Sequence, residues 1–408
     1  MKRLPELLAP AGDMEKLRFA AAYGADAVYF AGDRFGMRAS AGNFDADGLR
    51  AAAEYCRARS VRAFVTVNSM LHGRDMEALP EYLRYLDSLP LDALIVADMG
   101  AMAAAKKYAP SLKLHVSTQA SITNAEAAAE YHRMGASRVV LARELSLDEI
   151  KRIREGVPPE LEIETFVHGS MCMAYSGRCI LSNFLTGRDA NGGACAQPCR
   201  WKYSLVEETR PGEYMPVRED AGGTYIFNSK DLCMLEHIAL LAEAGIDSLK
   251  IEGRAKSFYY AAVTTGAYRR ALDMYGAGEW SEAAALELLR ELDKVSHRQY
   301  YTGFYFGGRG EQRTDSSEYI REWDVCAVVL GETEDGACRL QQKNKLFAAD
   351  ALELLTPDGY CGAVRLADVR GADGEETDCV NVPNMEFTAR LPIKAPEFSI
   401  LRKEKSRT

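Results

Sequence analysis

The chain has no apolar run near the roughly 18–20 residues that would span a bilayer. Its start, Met1-Lys2-Arg3-Leu4-Pro5, is charged but opens no long apolar segment, so a signal peptide is not expected and the cytoplasm is. An excess of positive charge is missing as well: 59 acidic residues against 50 Lys and Arg leave a net charge of −9. The global signature of a nucleic-acid binder is therefore absent, although binding depends on local patches more than on the total. Three patches are candidates: Lys250, Arg254 and Lys256; Arg269 and Arg270; and the tail Arg402-Lys403-Glu404-Lys405-Ser406-Arg407. The plainer reading of each is solvated surface charge. The usual hydrolytic engines are lacking too, with no G-x-S-x-G elbow and no H-E-x-x-H zinc helix. There is no C-x2-C pair of the kind structural zinc prefers. The first strand candidate runs into Ala9-Pro10-Ala11-Gly12-Asp13, which is not a Gly-rich phosphate loop.

What is present is a chain of 408 residues, 47% apolar and 27% charged, able to build a large core and long enough for two or three domains. Its first 270 residues alternate short apolar runs with Ala- and Leu-rich stretches. Eight runs read as strands: 6–9, 27–31, 63–68, 93–97, 113–118, 138–142, 162–167 and 248–252. Helix patterns lie between most of them, at 13–23, 46–59, 76–88, 99–108, 124–134 and 146–155. Gly24, Gly135 and Gly245 each stand where a helix ends and a strand follows. Eight such units imply right-handed crossovers and a parallel sheet closed into an α/β, TIM-like (β/α)8 barrel, with an open doubly wound sheet as the alternative. The barrel is expected over residues 1–275, and a connector over 276–318. From 319 to 408, short β runs punctuated by Thr356-Pro357-Asp358-Gly359 and Gly371-Ala372-Asp373-Gly374 predict a small antiparallel β-barrel or sandwich.

About 80 residues separate Val167 from Ser248, and five of the ten cysteines lie in or beside that stretch. They run Cys172-x6-Cys179-x15-Cys195-x3-Cys199, with Cys233 later, in an insertion at about 168–235. Disulfides are not expected in a cytosolic chain. Three explanations compete: structural zinc; a catalytic thiol, which would leave the other clustered cysteines unexplained; and an iron–sulfur cluster, whose thiolates accept irregular spacing because they converge from a loop, with free structural cysteines as the remainder. Gly177, Gly187, Gly192, Gly193 and Pro198 would let such a loop fold tightly.

Barrel function sits where strands end. Those ends carry Pro10, Gly12, Gly32, Asn68, Asp98, Ser117, Gln119, Arg143, Glu144, His168, Glu252 and Arg254. Some of these serve only solubility. Glu252 and Arg254 rank higher, because Gly253 between them lets backbone approach a ligand. His168, four residues before Cys172, reads as a substrate ligand, a proton donor or a hydrogen-bonded support of the loop.

The segment from Glu164 to Ser182, Glu-Thr-Phe-Val-His-Gly-Ser-Met-Cys-Met-Ala-Tyr-Ser-Gly-Arg-Cys-Ile-Leu-Ser, resembles the signature of the U32 peptidase family. The likeness extends to Glu6-Leu-Leu-Ala-Pro10-Ala-Gly12, Ser117-Thr-Gln119-Ala, Asn228-Ser-Lys-Asp-Leu232 and Lys250-Ile-Glu-Gly-Arg254. The family was named for a collagenase-like protease, but several branches resemble oxygen-independent hydroxylases of tRNA, rRNA or the ubiquinone ring. The run from Asn228 to Ile238 is most similar to the branch that hydroxylates C5 of the tRNA wobble uridine. That resemblance implies a [4Fe–4S] cluster on Cys172, Cys179, Cys195 and Cys199, with Cys233 as the alternative ligand. It implies tRNA as substrate and prephenate, a dicarboxylate, as hydroxyl donor, and it allows a homo-oligomer or a hetero-oligomer with another family member. A dicarboxylate calls for guanidinium groups at the barrel mouth, and Arg143, Arg178 and Arg254 are candidates. His168, Glu252 and Arg254 are the expected catalytic residues, with Asn68, Gln119, Arg143 and Arg178 binding substrate. A protease built on Cys172 and His168 is the rival reading, weakened because a thiolate held by iron is no free nucleophile. A third reading is a non-catalytic RNA-binding adaptor, against which the polar ring at the strand ends argues.

Overall fold

Eight parallel strands form the frame of a computed structural model: β1 (Glu6–Pro10), β2 (Ala27–Ala31), β3 (Arg62–Val67), β4 (Ala93–Val96), β5 (Lys113–Val116), β6 (Arg138–Val140), β7 (Glu162–Ser170) and β8 (Ser248–Ile251). The structure describes residues 4–37, 42–171, 181–188, 190, 193–198, 205–206, 214–215, 218–220, 223–225, 228–307, 312–313, 319–359 and 361–405. Each strand pairs with the next, and β8 pairs with both β1 and β7, which closes the barrel. Closure buries both faces, so β1 and β2 have no exposed position; β2 reads in the sequence as an unbroken apolar run, and β1 does so after Glu6. The expected (β/α)8 barrel is the observed fold.

The six expected helices are present with ends shifted by a residue or so, except the third, which begins at Gly73. There the Asp75 carboxylate accepts the His72 N–H at 2.8 Å and caps the helix a turn earlier than its apolar pattern suggests. Strand β7 runs three residues beyond its expected end. The reason is a partner outside the barrel: Asp231–Cys233 pairs antiparallel with Ser170, Gly169 and His168, and Tyr300–Tyr301 extends that pairing.

The barrel lumen is divided. Leu8, Ala27, Tyr29, Phe64, Ala93 and Ile95 form one buried apolar cluster. Against it lies a charged cluster. Arg138 of β6 reaches Glu6 of β1 at 2.6 Å, a bond that must cross the lumen because these strands are not neighbours. Arg138 also holds Glu164 at 2.9 Å and Glu162 at 2.6 Å, and Lys250 holds the other oxygen of Glu164 at 2.7 Å. Burial opposes the charge on Glu164. The two cations outweigh it and hold this carboxyl below the usual carboxylate range.

The second domain is a seven-stranded antiparallel sheet, in the order Cys361–Val364, Leu352–Leu355, Ile400–Glu404, Trp323–Glu332, Cys338–Gln342, Glu386–Arg390, Ala367–Arg370. It docks on the barrel through Arg402, which is fully buried. The Arg402 guanidinium donates to Tyr259 Oη at 3.0 Å and pairs with Glu291 of helix Glu282–Leu292 and with Glu353. Tyr23 Oη donates to the Phe398 carbonyl at 3.1 Å, and the rings of Phe19 and Phe398 meet edge to face. Among the described residues, no helix is long and apolar enough to cross a membrane.

Candidate active site

The ends of β3, β5, β6, β7 and β8 are joined by a chain of polar contacts around one mouth of the barrel. Asn68 donates to Ser117 Oγ at 3.1 Å and accepts the Met37 N–H at 3.2 Å. The Met37 carbonyl accepts from Arg254. Across the mouth, Arg143 donates to the Ser170 carbonyl at 2.7 Å and to Glu252 Oε2 at 3.2 Å, with its guanidinium 3.8 Å from the Phe166 ring centre. Gln119 N–H reaches Ser117 Oγ at 3.3 Å, while the buried Gln119 Oε1 has no hydrogen-bond partner among the described residues. Glu144 beside Arg143 has a buried Oε2 equally without one, and burial raises its carboxyl. The mouth thus collects Asn68, Gln119, Arg143, Glu252 and Arg254.

The corner between β7 and β8 depends on glycine. Gly169 has φ +108°, and a Cβ there would sit 2.6 Å from the Glu252 carbonyl oxygen. The Gly169→Ala variant is expected to lose about 1–3 kcal/mol of stability and to displace Glu252. A thermal melt, read beside product yield, checks both effects.

His168 is not part of the mouth ring. Its side chain is 1% exposed and is surrounded by Tyr260, Tyr268 and Tyr300, with ring centres 5.9, 5.6 and 5.3 Å away. Burial pushes its imidazole down to about 3, so the ring is neutral, and neither nitrogen has a partner among the described residues. It communicates with the mouth through Tyr260, whose hydroxyl donates to the Glu252 carbonyl at 2.9 Å. No sequence signal pointed to Tyr260, which lies on helix Phe258–Ala277.

The three basic patches resolve differently from solvated surface. Lys250 is inside the barrel, 4% exposed, and Arg254 is 5% exposed. Strand alternation turns Lys250 toward the lumen, where Glu164 meets it. Arg269 pairs with Asp26 and Asp273, and Arg270 with Glu287. In the tail, Arg402 is core, and Lys403 and Lys405 pair with Asp350 and Asp324.

Among the cysteines assigned to a cluster, Cys172, Cys179 and Cys199 lie outside the described residues, as does Arg178. Cys195 is half-buried, and its Sγ accepts the Gln197 N–H at 3.3 Å, with Gln197 in a left-handed turn (φ +56°). Backbone N–H groups aimed at ligand sulfur tune a bound cluster, so Cys195 fits a ligand role. Cys233 fits it less well. Its thiol lies 4.0 Å from Tyr268 Oη, and burial pushes it up to about 12, which disfavours the thiolate. Glu291, Glu353 and Cys361 also converge, but Arg402 and Lys294 neutralise them, making an ion cluster that binds the two domains.

Comparison with known proteins extends the description. The family described as Peptidase family U32 matches residues 12–315, and the Peptidase family U32 C-terminal domain matches 321–402. "tRNA hydroxylation protein P1" of Bacillus subtilis (strain 168) is 37% identical over 98% of this chain and 95% of its own. "tRNA hydroxylation protein P" of Escherichia coli (strain K12) is 36% identical over 95% of this chain and 94% of its own. A protein of Methanocaldococcus jannaschii named as an uncharacterized protease is 43% identical over 75% of this chain and 74% of its own.

Proposed function

Because the chain belongs to peptidase family U32, in its barrel and its C-terminal domain alike, we propose that it is an RNA-modifying enzyme that hydroxylates C5 of the tRNA wobble uridine without dioxygen. The observation that carries this reading is its near-full-length likeness to two proteins named for tRNA hydroxylation. Prephenate is the proposed donor, and a [4Fe–4S] cluster on Cys172, Cys179, Cys195 and Cys199 the proposed cofactor. In the reaction a uracil C5–H becomes C5–OH, a two-electron oxidation. The donor gives up one oxygen and is reduced by the same two electrons. When bound, the cluster would supply redox or Lewis-acid chemistry at the mouth.

The chain's own residues have separable tasks. The Arg143 guanidinium already binds one carboxylate at the mouth, that of Glu252, and a donor carboxylate would compete for the same planar fork. Arg254 would take the second carboxylate. Glu252 Oε2 would accept the C5 proton. Gln119 and Asn68 would hydrogen-bond the base, and neutral His168 would position the corner that leads to Cys172. A tRNA substrate would put the reaction in the cytoplasm.

Two measurements test the reading. Nucleoside mass spectrometry of tRNA from a deletion strain should show loss of 5-hydroxyuridine derivatives; unchanged levels, with no redundant pathway running, remove the function. Protein purified without oxygen should be coloured and contain iron and sulfide, and Cys195→Ser should lower both; full metal content in that variant would remove Cys195 as a ligand. The protease name borne by one relative supplies the rival reading. Gelatin degradation by metal-analysed anaerobic protein would restore it.

A further inference from the structure

Between the barrel mouth and the β domain lies a cleft of about 720 Å³. One wall is the end of β8 and the turn into helix Phe258–Ala277; the other is the start of the C-terminal sheet around Tyr319–Val325. Its charge runs against that of the molecule. Five cations, Arg254, Lys256, Arg321, Lys343 and Lys405, face two carboxylates, Glu252 and Asp324, in a chain of net charge −9. Lys343 and Lys405 already pair, with Glu15 and Asp324. Lys256 and Arg321 have no carboxylate partner among the described residues: Arg321 donates to Ser296 Oγ at 3.0 Å, and Lys256 lies 4.4 Å from the Tyr319 ring centre.

The cations are interleaved with aromatic rings. Tyr319 is also approached by Arg298 at 4.7 Å and Arg321 at 5.5 Å, and Trp323 by Lys294 at 4.8 Å. Cations set among aromatic and guanidinium planes are the chemistry that holds single-stranded nucleic acid, with phosphates on the charges and bases on the planes. Ser170 and Gln197 also line the cleft, each two residues from a proposed cluster ligand, Cys172 and Cys195. A strand lying in the cleft is thereby led to the mouth.

We propose that this interdomain cleft binds a single-stranded RNA loop, with Lys256 and Arg321 on consecutive phosphates and Tyr319 stacking a base, so that the β domain selects an unpaired segment for the barrel. The proposal rests on the hydroxylase reading and names the surface that reading lacks. A cleft of this size accepts a splayed strand and not the body of a duplex.

The test is equilibrium binding of a fluorescent anticodon stem–loop and of a blunt RNA duplex to the anaerobically prepared full chain, across a salt series. Lys256→Glu/Arg321→Glu is expected to weaken loop binding at least tenfold and to reduce the slope of log K against log salt by about 1.4, or ~0.7 for each phosphate no longer neutralised. Tyr319→Ala is expected to weaken it roughly tenfold with the slope unchanged. Arg339→Glu, at an exposed side chain of the β domain outside the cleft lining, should bind as wild type. Thermal melts identify any variant that fails to fold, in which case Lys256→Gln/Arg321→Gln replaces the charge reversal. Loop affinity within twofold of wild type in the folded double variant overturns the proposal, as does equal affinity for the duplex. Binding is read without turnover, so the two failures separate. Unchanged tRNA nucleosides in the deletion strain remove the hydroxylase; loss of 5-hydroxyuridine derivatives there, with loop binding indifferent to these substitutions, removes the cleft alone.

Discussion

Arg143→Ala is expected to lower the rate of 5-hydroxyuridine formation by about 10²–10³, which corresponds to roughly 3–4 kcal/mol of transition-state stabilisation. The substitution removes three interactions at once: the hydrogen bond to the Ser170 carbonyl, the ion pair with Glu252 and the stacking on Phe166. Arg143→Lys should recover little of the loss. A single ammonium cannot serve the Ser170 carbonyl and a carboxylate together as the planar guanidinium does. Glu252→Gln separates positioning from binding. Were Arg143 needed only to hold Glu252, the double variant would be no slower than Glu252→Gln, and the KM for prephenate would be the same in both. We expect instead that KM rises further when Arg143 is also removed, because its fork is where the donor carboxylate competes. Initial rates against prephenate concentration, with unmodified tRNA and anaerobic protein, decide it. Rates and KM within twofold of wild type in Arg143→Ala would leave the mouth without its carboxylate site.

The barrel was legible because its physics is repetitive. Strands buried on both faces are largely apolar, and a left-handed glycine closes the preceding helix at Gly24, Gly135 and Gly245. The mouth was legible for a related reason, since strand ends are fixed once strands are found. What joins those ends was not. The link from Arg254 to Asn68 runs through the backbone of Met37, which carries no side-chain signal. Tyr260, Tyr319 and Trp323 enter from the following helix and the second domain, and only docking brings them to the site. Charged residues misled for the opposite reason. Lys250 and Arg402 look like surface charge in the sequence, yet each is buried against carboxylates supplied by other elements. Glu6 and Arg138, 132 residues apart, are ordinary in isolation and become partners only across a closed lumen.

That lumen carries the largest expected effect on stability. Arg138→Met should destabilise the barrel by about 3–5 kcal/mol, because it deprives the buried carboxylates of Glu6 and Glu164 of their shared cation. For a barrel of this size the melting temperature should fall by roughly 6–20 °C. The pH dependence distinguishes this cause from poorer packing. In the wild type the Glu164 carboxyl is held below its usual range by Lys250 and Arg138, against the opposing effect of burial. Its ionised pairs therefore contribute fully above the ordinary carboxylate range, and that contribution is lost as pH falls through the depressed value. The variant has less of it to lose. The gap in melting temperature between wild type and Arg138→Met should consequently narrow as pH falls below the ordinary carboxylate range and through the depressed value, where a protonated Glu164 needs no cation. Adding Glu164→Gln to Arg138→Met should restore part of the stability at neutral pH, since a neutral amide is cheaper to bury than an under-compensated carboxylate. A gap that stays constant with pH, or a double variant less stable than the single, would show that methionine merely packs badly. The charged half of the lumen would then be incidental to the fold.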